Sequence, residues 1–189
     1  TLLVAKNGWV GRDAEGWQLY AICRDHHNGA GSWMVGDTDR WERLGIDLLP
    51  WRSEGEEIVV LPQRSIGSPR VAMPRGWELD VSRRLGKGTT RPIRVRPHPG
   101  PPKTDPLPDL QRAWAGVTWA SGAGIKALIG GVPMFHELKG WIGAPAAKFG
   151  IRDLEQPFTG DRLPMLRRMA WAQWTVAEIE RGEPFEWLL

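Results

Sequence analysis

Three short stretches concentrate the residues able to do chemistry. His98 stands between Pro97 and Pro99, so its backbone is stiff and its ring direction preset. An imidazole held that way can take or give a proton near neutral pH; a hydrogen-bonded structural histidine is the competing reading. Gln63-Arg64-Ser65-Ile66-Gly67 offers donors and a cation, with a glycine that lets a ligand approach closely. Ala120-Ser121-Gly122-Ala123-Gly124 supplies a hydroxyl and a row of backbone N–H groups at a helix start, an arrangement that receives anions. Those glycines serve equally well in a plain tight turn, and both readings stand. His136-Glu137 can reach the same edge, although Glu137 reads more simply as a surface carboxylate.

These stretches follow segments that read as strands. Ile58–Pro62 is continuous and apolar, as central parallel strands are. Gly76–Leu85 has Trp77, Val81 and Leu85 at spacings of four and predicts a helix. Pro92–Arg96 reads as the next strand, and Pro106–Ala113 as a short helix. Val117-Thr118-Trp119, the small-residue turn, the helix former Ile125–Ile129 and Val132–Phe135 make a βαβ unit with parallel strands. The order βα, βα, βαβ predicts an α/β protein: a Rossmann-like, three-layer domain with a mainly parallel sheet. In such a sheet ligands bind beyond the carboxyl ends of the strands, where all three stretches fall.

The flanks are less regular. Leu2–Lys6 reads as a strand ending at an Asn7-Gly8 turn, Trp9–Trp33 as a long aperiodic loop with one strand around Gln18–Cys23, and Asp39–Leu44 as a short helix. The polar run Trp51–Glu56 is the expected domain boundary, giving units 1–55 and 56–189. Near the end, Pro145–Phe149 suggests a short helix. From Asp161, an N-cap residue, Met165, Met169, Ala172, Val176 and Ile179 draw one apolar stripe. They predict a long C-terminal helix stopped by Gly182.

Composition narrows the function classes. With 41% hydrophobic and 25% charged residues in 189, the chain has the make-up of a soluble globular protein, and no apolar run could cross a bilayer. One cysteine, Cys23, permits no internal disulfide and fits a reducing, cytoplasmic setting. The opening Thr1–Lys6 lacks Met and the features of a signal peptide, so preceding residues are expected. Four histidines show no metal-binding spacing, so no metal is expected. The net charge of +3 is uneven: nine Lys/Arg lie between Arg64 and Arg96 against Glu78 and Asp80. That middle suits phosphates of a small ligand or of a nucleic acid, or is a solvated face. Twelve tryptophans must serve mostly as core or pocket wall. A Walker motif, a GxGxxG and a Gly-x-Ser-x-Gly elbow are all absent, which weakens P-loop, dinucleotide and serine-hydrolase readings.

VLPQRSIG, RVRPHPG and TWASGAGIKALIGGVPMF together resemble the C-terminal half of GT-B glycosyltransferases of the capsule-polysaccharide type. They also look like glycosyltransferase-like proteins of bacteriophages and prophages. The resemblance spans about Ile58–Glu137. It implies a nucleotide-sugar donor and no metal or other cofactor, because such enzymes neutralise the leaving diphosphate with side chains and helix dipoles. The donor would lie among Gln63, Arg64, Gly67, His98, Pro99, Ser121, Gly122, Gly124, Lys126 and Glu137. Lys126 stands where the resembled pattern has Glu, which puts donor identity and activity in question. Residues 1–55 would be the remnant of an acceptor-side domain. Its loops offer Asp13, His26 or His27, beside His98, as the catalytic base. The acceptor implied is a glycan or DNA, and the alternative is a non-catalytic module binding a nucleotide or nucleic acid.

Overall fold

The apolar run near Ile58 forms strand β3 (Glu57–Leu61) in a computed structural model that describes residues 1–26, 31, 36, 39–100 and 104–189. Ile58, Val59, Val60 and Leu61 are at most 1% exposed, so β3 is covered on both faces. It pairs in parallel with β4 (Ile93–Val95) on one side and β5 (Ala113–Thr118) on the other. Beyond β5 come β6 (Met134–His136) and β7 (Lys148–Phe149), also parallel. The sheet order is therefore β4-β3-β5-β6-β7. The expected α/β arrangement with a parallel sheet is what forms.

Alternation along β3 decides which helix packs where, because successive strand side chains point to opposite faces. Ile58 and Val60 meet Trp77, Val81 and Leu85 of helix α2 (Trp77–Leu85). Val59 and Leu61 share a second cluster with Ile125, Ala127 and Leu128 of helix α3 (Gly122–Ile129). Three layers result. Among its described residues the connection between β4 and β5 contains a single 3-10 turn, Pro108–Leu110, where a short helix was expected over 106–113. Arg112 carbonyl pairing with Glu56 and Glu57 draws the chain straight into β5, four residues earlier than its apolar core suggested. Likewise Pro145–Phe149 gives a 3-10 turn (Ala144–Ala146) and then β7.

The N-terminal segment is longer and straighter than expected. Strand β1 (Leu3–Arg12) runs through Asn7-Gly8 without turning there. It pairs with β2 (Gln18–Arg24) in an antiparallel hairpin whose register shifts between Asn7 and Arg12. Helix α1 (Asp39–Arg43) follows. Trp9, Leu19, Trp41 and Leu44 belong to the same hydrophobic cluster as Val59 and Leu128. The polar run 51–56 is pinned to the sheet domain: Arg52 N donates to Gly131 O at 2.8 Å, and the Arg52 guanidinium spans the carbonyls of Leu110, Gln111 and Ala113. Gly131, at φ 77°, has no room for a Cβ, which would sit 2.1 Å from Pro50 O.

The span of the expected long C-terminal helix holds three pieces, and a fourth follows Gly182. Helix α4 (Leu163–Ala170) ends at Trp171; β8 (Gln173–Thr175) extends; α5 (Val176–Glu180) and α6 (Phe185–Leu188) close the chain. The physical reason is pairing: Leu19, Tyr20 and Ala21 of β2 bind Thr175, Trp174 and Gln173, making a three-stranded sheet β1-β2-β8. Thr175 then restarts a helix through a capping box with Glu178. Buried Arg40 locks the junction. Its Nε donates to Ala170 O at 3.1 Å, its Nη1 and Nη2 reach the two Glu178 oxygens at 2.7 and 2.9 Å, and its guanidinium lies 4.1 Å from the Trp174 ring centre. Replacing Arg40 by Met strands the Glu178 carboxylate. We expect a loss of about 3 kcal/mol, the order seen when one partner of a buried ion pair is removed, read as a lowered midpoint in urea unfolding.

Candidate functional site

In the order β4-β3-β5, the chain leaves β3 toward one neighbour and returns past it to the other. The carboxyl ends of β3 and β5 are thus a switch point, where an open α/β sheet leaves a crevice. A cavity of about 410 Å³ occupies it. Its walls are the β3 exit (Leu61, Pro62, Arg64), the β4 exit (Arg96, His98, Pro99), Thr104 and Pro106, the α3 start (Ser121, Gly122, Ala123, Lys126), and β1 residues Lys6, Asn7, Gly8 and Trp9.

Hydrogen bonds weld the two strand ends together. Thr118 Oγ1 donates to Leu61 O at 3.0 Å and accepts from Ser121 N at 2.9 Å. Gln63 Oε1 accepts from Ala120 N at 3.1 Å, and Ser121 Oγ accepts from Ala123 N at 3.1 Å. The anion nest read from the sequence is therefore narrower than its residues suggest. Ala120, Ser121 and Ala123 spend their N–H groups internally, whereas Gly122 N–H has no such acceptor among the described residues. Gly122 is exposed at the cavity wall. What is left at the cavity wall is the Gly122 N–H, at the positive end of α3, and a Ser121 hydroxyl whose oxygen already accepts from Ala123 N.

The cations of the wall differ in how committed they are. Arg96 is buried, held by Asp109 Oδ2 at 2.5 Å and Thr104 Oγ1 at 2.8 Å. Lys126 Nζ lies 3.8 Å from Asp105 Oδ1, with both side chains about half exposed. Lys6 Nζ sits 4.1 Å over the Trp9 ring. Arg64 is exposed and has no carboxylate partner among the described residues. His98 is likewise exposed, on its proline-stiffened loop.

The structure brings Arg64, His98, Pro99, Ser121, Gly122 and Lys126 to one cavity. Gln63 lies behind it, buried, with its Nε2 unpartnered among the described residues. Gly124 backs onto Trp141, where a Cβ would come within 3.0 Å of the ring, so its smallness serves packing. The other expected residues lie elsewhere. Gly67 is on the exposed part of its loop, at φ 120°. Asp13 sits in the β1–β2 turn, where its Oδ1 accepts from Trp17 N at 2.8 Å. His26 follows β2, its carbonyl 2.9 Å from Cys23 Sγ. His27 is outside the described residues, as are Pro101 and Pro102 of the proline run.

Glu137 is drawn away from the cavity toward α2. It accepts from Trp77 Nε1 at 2.7 Å and takes a fork from Arg84 at 2.7 and 2.8 Å. Burial alone would raise its carboxyl, but the hydrogen bonds from Arg84 and Trp77 outweigh it and hold the group below its usual range. His136 is buried beside Trp141 and Phe149, with Nδ1 3.0 Å from Leu138 O; desolvation lowers its pKa, favouring the neutral ring.

The basic middle is also largely internal. Of its nine cations, Arg83 and Arg84 face Asp80, Arg84 also Glu137, Arg91 faces Glu155, Arg94 Glu57 and Arg96 Asp109. Arg64, Arg70, Arg75 and Lys87 remain without a carboxylate partner among the described residues. Missed from the sequence were Lys6–Trp9, which the Asn7-Gly8 turn signal concealed, and Thr104 and Pro106. Arg96 was counted as charge but not placed. Among the described residues no group of three or more His, Cys, Asp or Glu could hold a metal, and no helix is long and apolar enough to cross a membrane. No protein family, curated protein or solved structure matches the chain.

Because the Glu137 carboxyl is depressed in the folded state, its contribution is present above the unfolded value of about 4.3 and fades as pH falls through the folded one. We expect wild-type stability to fall more steeply than that of Glu137→Gln below about pH 5, with the variant less stable at neutral pH. Parallel slopes in acid unfolding curves would contradict the assignment.

Proposed function

We propose that the switch-point cavity binds the diphosphate of a nucleotide-activated sugar and that the protein is a glycosyltransferase of GT-B character. One observation carries the reading: the three stretches that resemble GT-B elements, far apart in sequence, place Arg64, His98, Ser121, Gly122 and Lys126 around a single crevice at the start of a helix. Arg64 and Lys126 contribute charge, and Gly122 N–H and the α3 dipole add fixed partial charge aimed at an anion. Trp9 and Pro62 supply the apolar wall that a nucleoside or sugar ring needs.

In the transfer step, an acceptor hydroxyl oxygen bonds to the anomeric carbon as the carbon–oxygen bond to phosphate breaks. The bonding electron pair leaves with the diphosphate, whose growing charge Arg64, Lys126 and the α3 terminus stabilise. His98 takes the acceptor's proton, and its two prolines keep the ring from wandering. The departure at Lys126 favours a second reading in which the same cavity binds a nucleotide without turnover. Lys126 is tied to Asp105 and adds positive charge where a carboxylate was expected.

Thermal unfolding with UDP, GDP, ADP, CDP and dTDP and their sugar conjugates tests both. At a hundred times its Kd, the right nucleotide stabilises by about 2.7 kcal/mol, which we expect to raise Tm by roughly 5 °C or more. Arg64→Ala and Lys126→Gln should each weaken binding about tenfold, the scale of one charge-assisted contact. His98→Ala should keep the Tm shift and lose release of diphosphate from the conjugate. If no nucleotide in the panel shifts Tm, both readings fail; a shift without turnover leaves the binding-only one.

A further inference from the structure

A second cavity, of about 660 Å³, opens where the β1–β2 turn meets α1 and the start of α5. Its floor is apolar, with Leu19, Leu44, Val176 and Ala177. Beside it stands Trp17, 63% exposed, and Val176 is 49% exposed. Leaving an indole in water is costly, and a ring there for no purpose would be free to swing. This one is not. Asp13 Oδ1 accepts from Glu15 N at 3.1 Å and from Trp17 N at 2.8 Å, and Asp13 N donates to Trp17 O at 3.1 Å. The Asp13 bonds fix the backbone that carries the indole, and Glu15 Oε2 accepts from Trp17 Nε1 at 3.2 Å at the ring's edge, leaving its faces unused by that bond.

Charge narrows the occupant. Arg40 and Glu178 neutralise each other, and Arg181 is taken by Glu183 at 2.7 Å. What remains on the rim is Asp13, Glu15 and Glu180 against Arg43. A phosphate or nucleotide is repelled there, and a hydrocarbon chain would strip water from carboxylates it cannot replace. A neutral pyranose meets both demands. One face of its ring is C–H and packs on an indole, and its hydroxyls donate to carboxylates around the edge.

We propose that this cavity is a saccharide subsite, with Trp17 as its stacking platform and Asp13 and Glu180 as hydroxyl acceptors. The site stands apart from the switch-point cavity in both lining and charge sign, so its binding does not depend on the nucleotide reading. If that reading holds as well, β1 joins the two: Lys6–Trp9 lines the first cavity, and the strand's turn builds the second. A saccharide held here is then the acceptor.

The test uses the full chain in saturation-transfer NMR and calorimetry with neutral trisaccharides of glucose, N-acetylglucosamine, mannose and galactose. At least one should bind with millimolar or tighter Kd. Trp17→Phe should keep most of that affinity, Trp17→Ala should lose about tenfold, and Glu180→Gln should lose severalfold, with unfolding curves unchanged because both side chains lie at the surface. The proposal is overturned if no trisaccharide binds, if Trp17→Ala binds as wild type, or if only a quaternary ammonium such as tetramethylammonium occupies the site, which would make it a cation box. Saccharide binding without any nucleotide effect would uphold this site and refute the donor reading alone.

Discussion

Strand β3 is buried on both faces and paired on both edges, and most of the molecule follows from that. A parallel strand cannot reach its neighbour by a tight turn, so each link must cross a face of the sheet. The first crossing, through α2, takes the face of Ile58 and Val60; α3 takes the face of Val59 and Leu61. Departing to opposite sides leaves the carboxyl ends of β3 and β5 uncovered. Thr118 and Gln63 then fasten those ends to each other and to the first turn of α3. The crevice is thus a consequence of strand order, and buried hydrogen bonds hold the β3 and β5 ends that form its floor.

Electrostatics inside the molecule are mostly spent on itself. Arg84, Arg91, Arg94 and Arg96 each hold a carboxylate from a different element, so charge that looks like a ligand surface in the sequence works as stitching between elements. Each pair has at least one partly exposed member, and together they fix which loop lies against which strand end. The cations left at the cavity are few, and they stand beside the positive end of α3.

The N-terminal hairpin ties the two candidate sites together. β8 comes from the far end of the chain and completes the small sheet, so the hairpin cannot shift without disturbing Arg40, Glu178 and the Trp174 core. A strand fixed at that depth makes a dependable wall for the first cavity and a dependable base for Trp17 in the second. Under the proposed functions, donor and acceptor sides would be held by one rigid strand.

Local chemistry alone was enough for the α/β character, the parallel strands near Ile58 and Val117, helix α2, and the loops bearing His98, Arg64 and Ser121. Each depends on short-range rules: β-branched runs make strands, spacings of four make helices, and ligand loops follow carboxyl ends. The tertiary structure alone decided the rest. Whether the stripe after Asp161 became one helix or α4, β8 and α5 depended on β2 offering backbone partners 152 to 156 residues away. Whether Asn7-Gly8 turned depended on a cross-strand partner, Tyr20. Glu137 was claimed by Trp77 and Arg84, and the bare N–H groups of the glycine turn by Gln63 and Thr118. A sequence shows which groups need partners, but only the folded chain brings those partners within hydrogen-bonding distance, and distance is what separates a binding group from a structural one.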